Sequence, residues 1–197
     1  MGNSSYKDKK TRDSIKQDLS QSWSLALKKA ENIQDPWYKT QALCELGLHS
    51  KAPKQQLAIL DQAFAVACQC LDINRTVNVS CWPLDVLYKL GFKDEFHQQA
   101  SRLLSLILQD NFSISRENGL FGLAMIAVQD PYAFPKILKH FLDACNHRHF
   151  WRGDRDCYRL ALMMKQHSYK TDLINTVVDA IKNRRVRKKV KLDLSQD

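Results

Sequence analysis

The sequence predicts an all-α chain: a right-handed superhelix of about four to five stacked antiparallel helix pairs, an alpha-solenoid. Three observations carry this. Apolar residues recur at helical spacing in nearly every stretch between Leu19 and Ile181. Helix-start signals recur too: Asp35-Pro36 and Asp130-Pro131 each place a capping acid before a proline whose missing N–H would have had no partner anyway. Third, one face repeats. Leu19, Leu57, Phe96, Phe134 and Leu173 stand 38, 39, 38 and 39 residues apart. Seven residues after each come Ala26, Phe64, Leu103, Phe141 and Ala180, and eight after come Leu27, Ala65, Leu104, Leu142 and Ile181. A unit of two short helices buries such a face only by stacking on its neighbours, and the connections are too short and too poor in strand formers for a sheet.

In order, residues 1–11 are polar and aperiodic and read as a disordered N-terminus. Residues 12–183 form a single helical-repeat domain. A first helix is expected from about Thr11 to Gln34 on Leu19, Trp23, Ala26, Leu27 and Ala30, and a second from the Asp35-Pro36 corner to His49. Pro53 starts a third, reaching Leu71. The stretch from Asn74 to Leu90 is helical in pattern but holds Pro83, so it is either kinked or begins late. Gly91 closes it. Helices are then expected from Asp94 to Gln109, from Ser113 to Val128, from the Asp130-Pro131 corner to Asn146, from Trp151 to Gln166 and from Thr171 to Lys182.

The segment Asp35-Pro36-Trp37-Tyr38-Lys39-Thr40-Gln41-Ala42-Leu43-Cys44-Glu45-Leu46-Gly47 resembles the turn and second helix of a HEAT-type repeat, D-P-x-V-R-x-x-A-x-x-x-L-G, with Tyr38 and Lys39 in place of valine and arginine. The other copies keep the period but little of the motif. The tetratricopeptide pattern is shorter than the observed period. The HEAT resemblance implies a curved stack of helix pairs with a concave surface, and a ladder of basic side chains between repeats. Eighteen residues before the later four anchors stand Lys39, Asn78, Arg116 and Arg155, with Arg75 one turn before Asn78. Two readings of this row stay open: a structural ladder pairing with acids and helix ends, or a line of cations that takes an acidic peptide or phosphates.

The 197 residues carry a net charge of +9, unevenly placed. Residues 182–191 hold seven cations and no acid, leaving only +2 for residues 19–181. From Leu173, the residues Ile174, Val177, Val178 and Ile181 fill one arc of a helical wheel, and Arg184, Arg185, Lys188, Lys189 and Lys191 would fall on that same arc if the helix continued. Unpaired cations cannot be buried there, so residues 184–197 are expected to leave the core as a projecting basic tail. Lys182, Arg184, Arg185, Arg187, Lys188, Lys189 and Lys191 are its candidate contacts with nucleic acid or an anionic surface.

The aromatic residues Trp37, Tyr38, Trp82, Phe150 and Trp151 fall at or near helix starts, where they either anchor a partner or pack between repeats. Together with Lys39, Arg75, Arg116 and Arg155, the residues Trp37, Tyr38 and Trp151 are the candidate partner contacts. The six cysteines contain no Cys-x-x-Cys pair and read as free, mostly core thiols of a reducing compartment. His140, Cys145, His147 and His149 are ligand types in poor order, so no metal and no cofactor are expected. The longest apolar run is far short of the roughly 20 residues that span a bilayer.

The expectation is therefore a non-enzymatic, cytoplasmic adaptor that presents a groove or an edge to a protein or peptide. The alternative is nucleic-acid or anionic-surface binding through the basic tail, with a nuclear location in a eukaryote. An enzyme ranks last: HEAT-like proteins that excise damaged bases exist, but the body between the termini is nearly neutral.

Overall fold

The computed structural model describes residues 2–146 and 150–196. They form eleven α-helices and no strand: α1 (Gly2–Gln21), α2 (Trp23–Glu31), α3 (Pro36–His49), α4 (Pro53–Ala67), α5 (Ile73–Lys89), α6 (Lys93–Leu108), α7 (Ser113–Ala127), α8 (Phe134–Asn146), α9 (Phe150–Gln166), α10 (Thr171–Asp179) and α11 (Arg184–Ser195). No helix among the described residues is long and apolar enough to cross a membrane. The contacts sort the chain into two compact units, 1–103 and 104–197, with the boundary inside α6.

Local chemistry sets the helix ends. Ser22, extended at φ −159°, accepts from the backbone N–H of Leu25 and splits the single helix expected over Thr11–Gln34 into α1 and α2. Asp35 accepts from Trp37 N–H at 2.9 Å, with Pro36 at the first helical position of α3 as expected. Asp72 does the same for α5 through Arg75 N–H, and Asn183 for α11 through Arg185 and Val186 N–H. Helix α5 ends where Gly91 turns left-handed at φ +82°, letting Phe92 N–H reach the Leu87 carbonyl. Pro83 lies inside α5, which is one helix from Ile73 to Lys89.

In the first unit, α1, α3 and α5 pack side by side, α2 lies against α1 and α3, and α4 against α3 and α5. The short links α2–α3 and α3–α4 make these helix hairpins. Ala26, Ala30, Leu43, Leu46, Leu60, Ala63, Val77 and Leu84 fill the core between them. Gly47 admits close packing here, since a Cβ on it would stand 3.1 Å from Leu60 Cδ2. In the second unit α7 packs on α8 and α9, α9 on α10, and α11 on α9 and α10. Leu120, Leu123, Phe134, Phe141, Cys157, Leu160 and Val177 form its core.

Of the repeated face, Phe96, Phe134, Ala26, Phe64, Leu103, Phe141, Leu104 and Ile181 are buried, Leu19, Leu57, Leu173, Ala180, Leu27 and Leu142 are half-buried, and Ala65 is exposed. Both termini require correction. Residues 2–21 are helical, with Ile15 fully buried, and buried Asp8 accepts the backbone N–H groups of Gln34 (3.1 Å) and Asp35 (2.9 Å) at the α2–α3 corner. A polar stretch without periodicity is thus used as a plug for an interhelical turn. The segment 184–195 does not project. Asn183 ends the frame of α10 and caps a new helix with its own phase, in which Val190 is fully buried and Val186 and Leu194, one turn to either side, are half-buried, so the segment expected to project lies against α9 and α10.

Candidate functional site

The expected basic row is drawn into helix-end bonds. Lys39 donates from Nζ to the Glu31 carbonyl at 2.8 Å, and Arg116 from Nε to the Asp110 carbonyl at 3.1 Å. Arg187 adds a third such link, donating from Nε to the Ile181 carbonyl at 2.8 Å. Each cation sits in the first turn of one helix and meets the negative end of the helix before it. Asn78 turns instead to its own helix, donating to the Asn74 carbonyl. Arg155 pairs with Asp156, its Nε and one terminal nitrogen each 3.1 Å from Oδ1.

The aromatic corner of the first unit is similarly committed. Trp37 and Trp82 meet edge to face with ring centroids 4.9 Å apart. The Arg75 guanidinium lies 5.7 Å from the Trp37 ring and 3.8 Å from Asp35 Oδ1, and the Arg12 guanidinium lies 5.6 Å from the Tyr38 ring. Trp37, Tyr38 and Lys39 of α3 are therefore joined to α5, α1 and α2, and Arg75 of α5 to the start of α3.

Beside this corner, α1, α3 and α5 enclose a cleft of about 390 Å³ that no motif announces. Leu48, Cys44, Val86 and Trp82 give it apolar surface, and Arg12, Asp13, Lys16, Glu45 and Asp85 give it charges of both signs. Arg12 pairs with Asp13 at 2.9 Å and Lys16 with Glu45 at 3.5 Å, so the rim is close to neutral. Gln41 also lines the cleft, and its carboxamide oxygen is shut off from solvent behind the cleft wall without a hydrogen-bond partner. Burial pushes the Cys44 thiol well above its ordinary pKa, with Asp85 and Glu45 adding to the effect, so Cys44 meets the cleft as an uncharged thiol.

In the second unit, α9 and α11 carry the charge. Arg152, Arg155 and Arg159, at i, i+3 and i+7, share one exposed face of α9. Trp151 is 66% exposed there, with the Arg152 and Arg155 guanidinium carbons 5.4 and 5.7 Å from its ring. All three arginines act on Asp156, whose carboxyl burial pushes upward in pKa against their pull. Helix α11 is docked by specific bonds. Asp154 accepts the backbone N–H groups of Lys182 (2.7 Å) and Asn183 (2.9 Å), Tyr158 donates to Asp193 at 2.5 Å, and Lys165 donates to the carbonyls of Leu194 and Gln196 at 2.8 Å. Lys189 bonds Asp193 at 2.8 Å and lies 5.5 Å from the Tyr158 ring. Lys182, Arg184, Arg185, Lys188 and Lys191 stay exposed, Lys191 4.0 Å from Asp179.

No family model, no curated protein and no solved structure matches the chain. The remaining expectations resolve on geometry alone. Cys145 and Cys157 are buried side by side with sulfurs 3.9 Å apart, and Cys44 and Cys81 are buried elsewhere, all as free thiols. Burial pushes Cys81 up to about 12. His147 and His149 lie outside the described residues, and no group of three metal-ligating side chains occurs among the described ones. Sequence reasoning missed Asp8, Asp154 and the cleft, because those depend on which helices are neighbours. It also missed Arg152 and Arg159, although their i, i+3, i+7 spacing with Arg155 was visible.

Proposed function

We propose that the protein is a helical-repeat binding module of the HEAT-like, alpha-solenoid kind, wound as a right-handed superhelix, without chemistry of its own, whose first unit presents the α1–α3–α5 cleft to a segment of a protein partner. The reading is supported by hairpins stacked through α1, α3 and α5, by the Asp35-Pro36 corner, and above all by Gln41. A buried carboxamide oxygen without a donor costs roughly 1–3 kcal/mol, and a peptide whose entry turned the Gln41 side chain into the cleft would recover that through its N–H. A near-neutral rim with apolar surface between fits a peptide with one apolar anchor better than a polyanion. We place the protein in the cytoplasm, or in the nucleus of a eukaryote.

The test combines stability with binding. Gln41→Leu removes the orphaned oxygen, so it should stabilise the free protein by about 1 kcal/mol in urea denaturation while weakening partner capture. Leu48→Glu should abolish capture, whereas Ala58→Glu, on exposed surface of α4, should leave it intact. Cross-linking from position 48 in cells of the source organism should trap a discrete protein. Equal capture by all three variants, or no stabilisation by Gln41→Leu, would overturn the cleft as the binding site.

A further inference from the structure

We propose that the exposed face of α9 and α11 is a binding site for single-stranded nucleic acid, with Trp151 as a base-stacking platform and Arg152, Arg155, Arg159, Arg185 and Lys188 as phosphate contacts. This goes beyond the cleft reading and stands on different residues. The two units differ in charge: residues 1–103 hold 14 cations and 11 acids, while residues 104–197 hold 16 cations and 10 acids. Much of that excess lies on these two helices, which pack against each other.

The face is built and not a loose charge run. On α9 Arg155 pairs with the buried carboxylate of Asp156, while Arg152 and Arg159 are exposed beside it, so the exposed arc of that helix keeps a positive balance. On α11 Val190 is fully buried and Val186 and Leu194 are half-buried, and the outward arc shows Arg184, Arg185, Lys188 and Lys191 with one exposed apolar side chain, Leu192. Lys189 links the two, since its ammonium lies 5.5 Å from the ring of Tyr158, one turn along α9 from Arg155. Cations four residues apart on a helix stand about 6 Å apart along its axis, a spacing suited to successive anionic groups of an extended strand.

Trp151 separates nucleic acid from the other polyanions. A tryptophan 66% exposed, with the guanidinium groups of Arg152 and Arg155 at one and four positions along the helix, offers ring surface for a base beside donors for its phosphate. A membrane would be met by an amphipathic helix that inserts an apolar stripe, but α11 offers Leu192 as its one largely exposed apolar side chain, too little to anchor it in lipid. An acidic peptide would engage the cations and leave the ring without a role.

The test is fluorescence anisotropy on the full chain with labelled oligothymidylate and oligouridylate of about 20 nucleotides, a duplex of the same length, polyglutamate, and vesicles containing phosphatidylserine. The single strands should bind more tightly than the duplex or polyglutamate, and the vesicles should not bind. Affinity should fall with log salt at a slope of about −0.7 for each phosphate contact. Arg159→Gln and Lys188→Gln should each flatten that slope by about 0.7, while Trp151→Ala should weaken binding about tenfold or more at unchanged slope. Leu48→Glu, in the cleft, should change nothing. These side chains are exposed, and unchanged circular dichroism would certify the fold. Equal binding of polyglutamate, binding of vesicles in place of oligonucleotides, or a Trp151→Ala variant with full affinity would overturn the proposal.

Discussion

Ser168 sits in the left-handed region at φ 57°, where a side chain crowds its own backbone. It ends α9 as Gly91 ends α5: Tyr169 N–H reaches the Met164 carbonyl at 3.0 Å and Ser168 N–H the Lys165 carbonyl at 2.9 Å. The same wrap is made once with glycine and once without. Ser168→Gly should therefore raise stability by about 0.5–1 kcal/mol, read as a shift of the urea midpoint at unchanged slope. A destabilised variant would mean that the Ser168 side chain earns its place through contacts. At this scale the sequence was partly readable. Asp35 and Gly91 name their own roles, because the capping oxygen and the missing Cβ act within a few residues. Asp8 and Asp154 do not, because each caps a turn 26 to 29 residues away.

Helix α11 shows how an element can be misread from its charges. Seven cations in ten residues are incompatible with continuing the α10 face. The chain does leave that face, at Asn183, but a fresh N-cap resets the phase. Val186, Val190 and Leu194 then pack on α9, and the cations turn to water or to helix ends. Protonation reaches its docking through the Asp193 bond that crosses to α9, the bond from Tyr158. Asp193 is held below the ordinary carboxyl value by its bonds to Lys189 and then Tyr158, and Lys189 is raised in turn by Asp193. An acid whose folded pKa is depressed stabilises the docked state above its unfolded pKa of about 3.8, and that contribution disappears as pH falls through the lower, folded value. Amide exchange of residues 184–195, compared with that of α9, should accelerate as pH drops through this acidic window after correction for intrinsic rates. Asp193→Asn should remove the effect. Val190→Asp, which buries a charge at a fully covered position, should undock the helix at any pH and cost about 3 kcal/mol.

At the scale of the whole chain, the two compact units carry separate cores, and each candidate surface belongs to one of them. Phe141 is fully buried in the second unit. Phe141→Ala should cost about 3–5 kcal/mol, and hydrogen exchange should rise in residues 104–197 well before it rises in 1–103. Uniform acceleration along the chain would show that the units do not open separately. The cationic α9–α11 face and the near-neutral cleft likewise predict different salt responses, steep for the first and shallow for the second.

What the amino-acid order determined by itself was the helical class, most helix starts and stops, the repeated buried face at Ala26, Phe64, Leu103 and Phe141, and the concentration of cations near the C-terminus. Those follow from interactions within a turn or two of helix, where spacing along the chain is spacing in the molecule. Tertiary structure alone decided the rest: that Lys39, Arg116 and Arg187 close helix ends, that Asp8 and Asp154 plug distant corners, that Gln41 lines a cleft, and that the basic segment folds back on α9. Each depends on which helices become neighbours, a matter of packing between residues dozens of positions apart that no local period encodes.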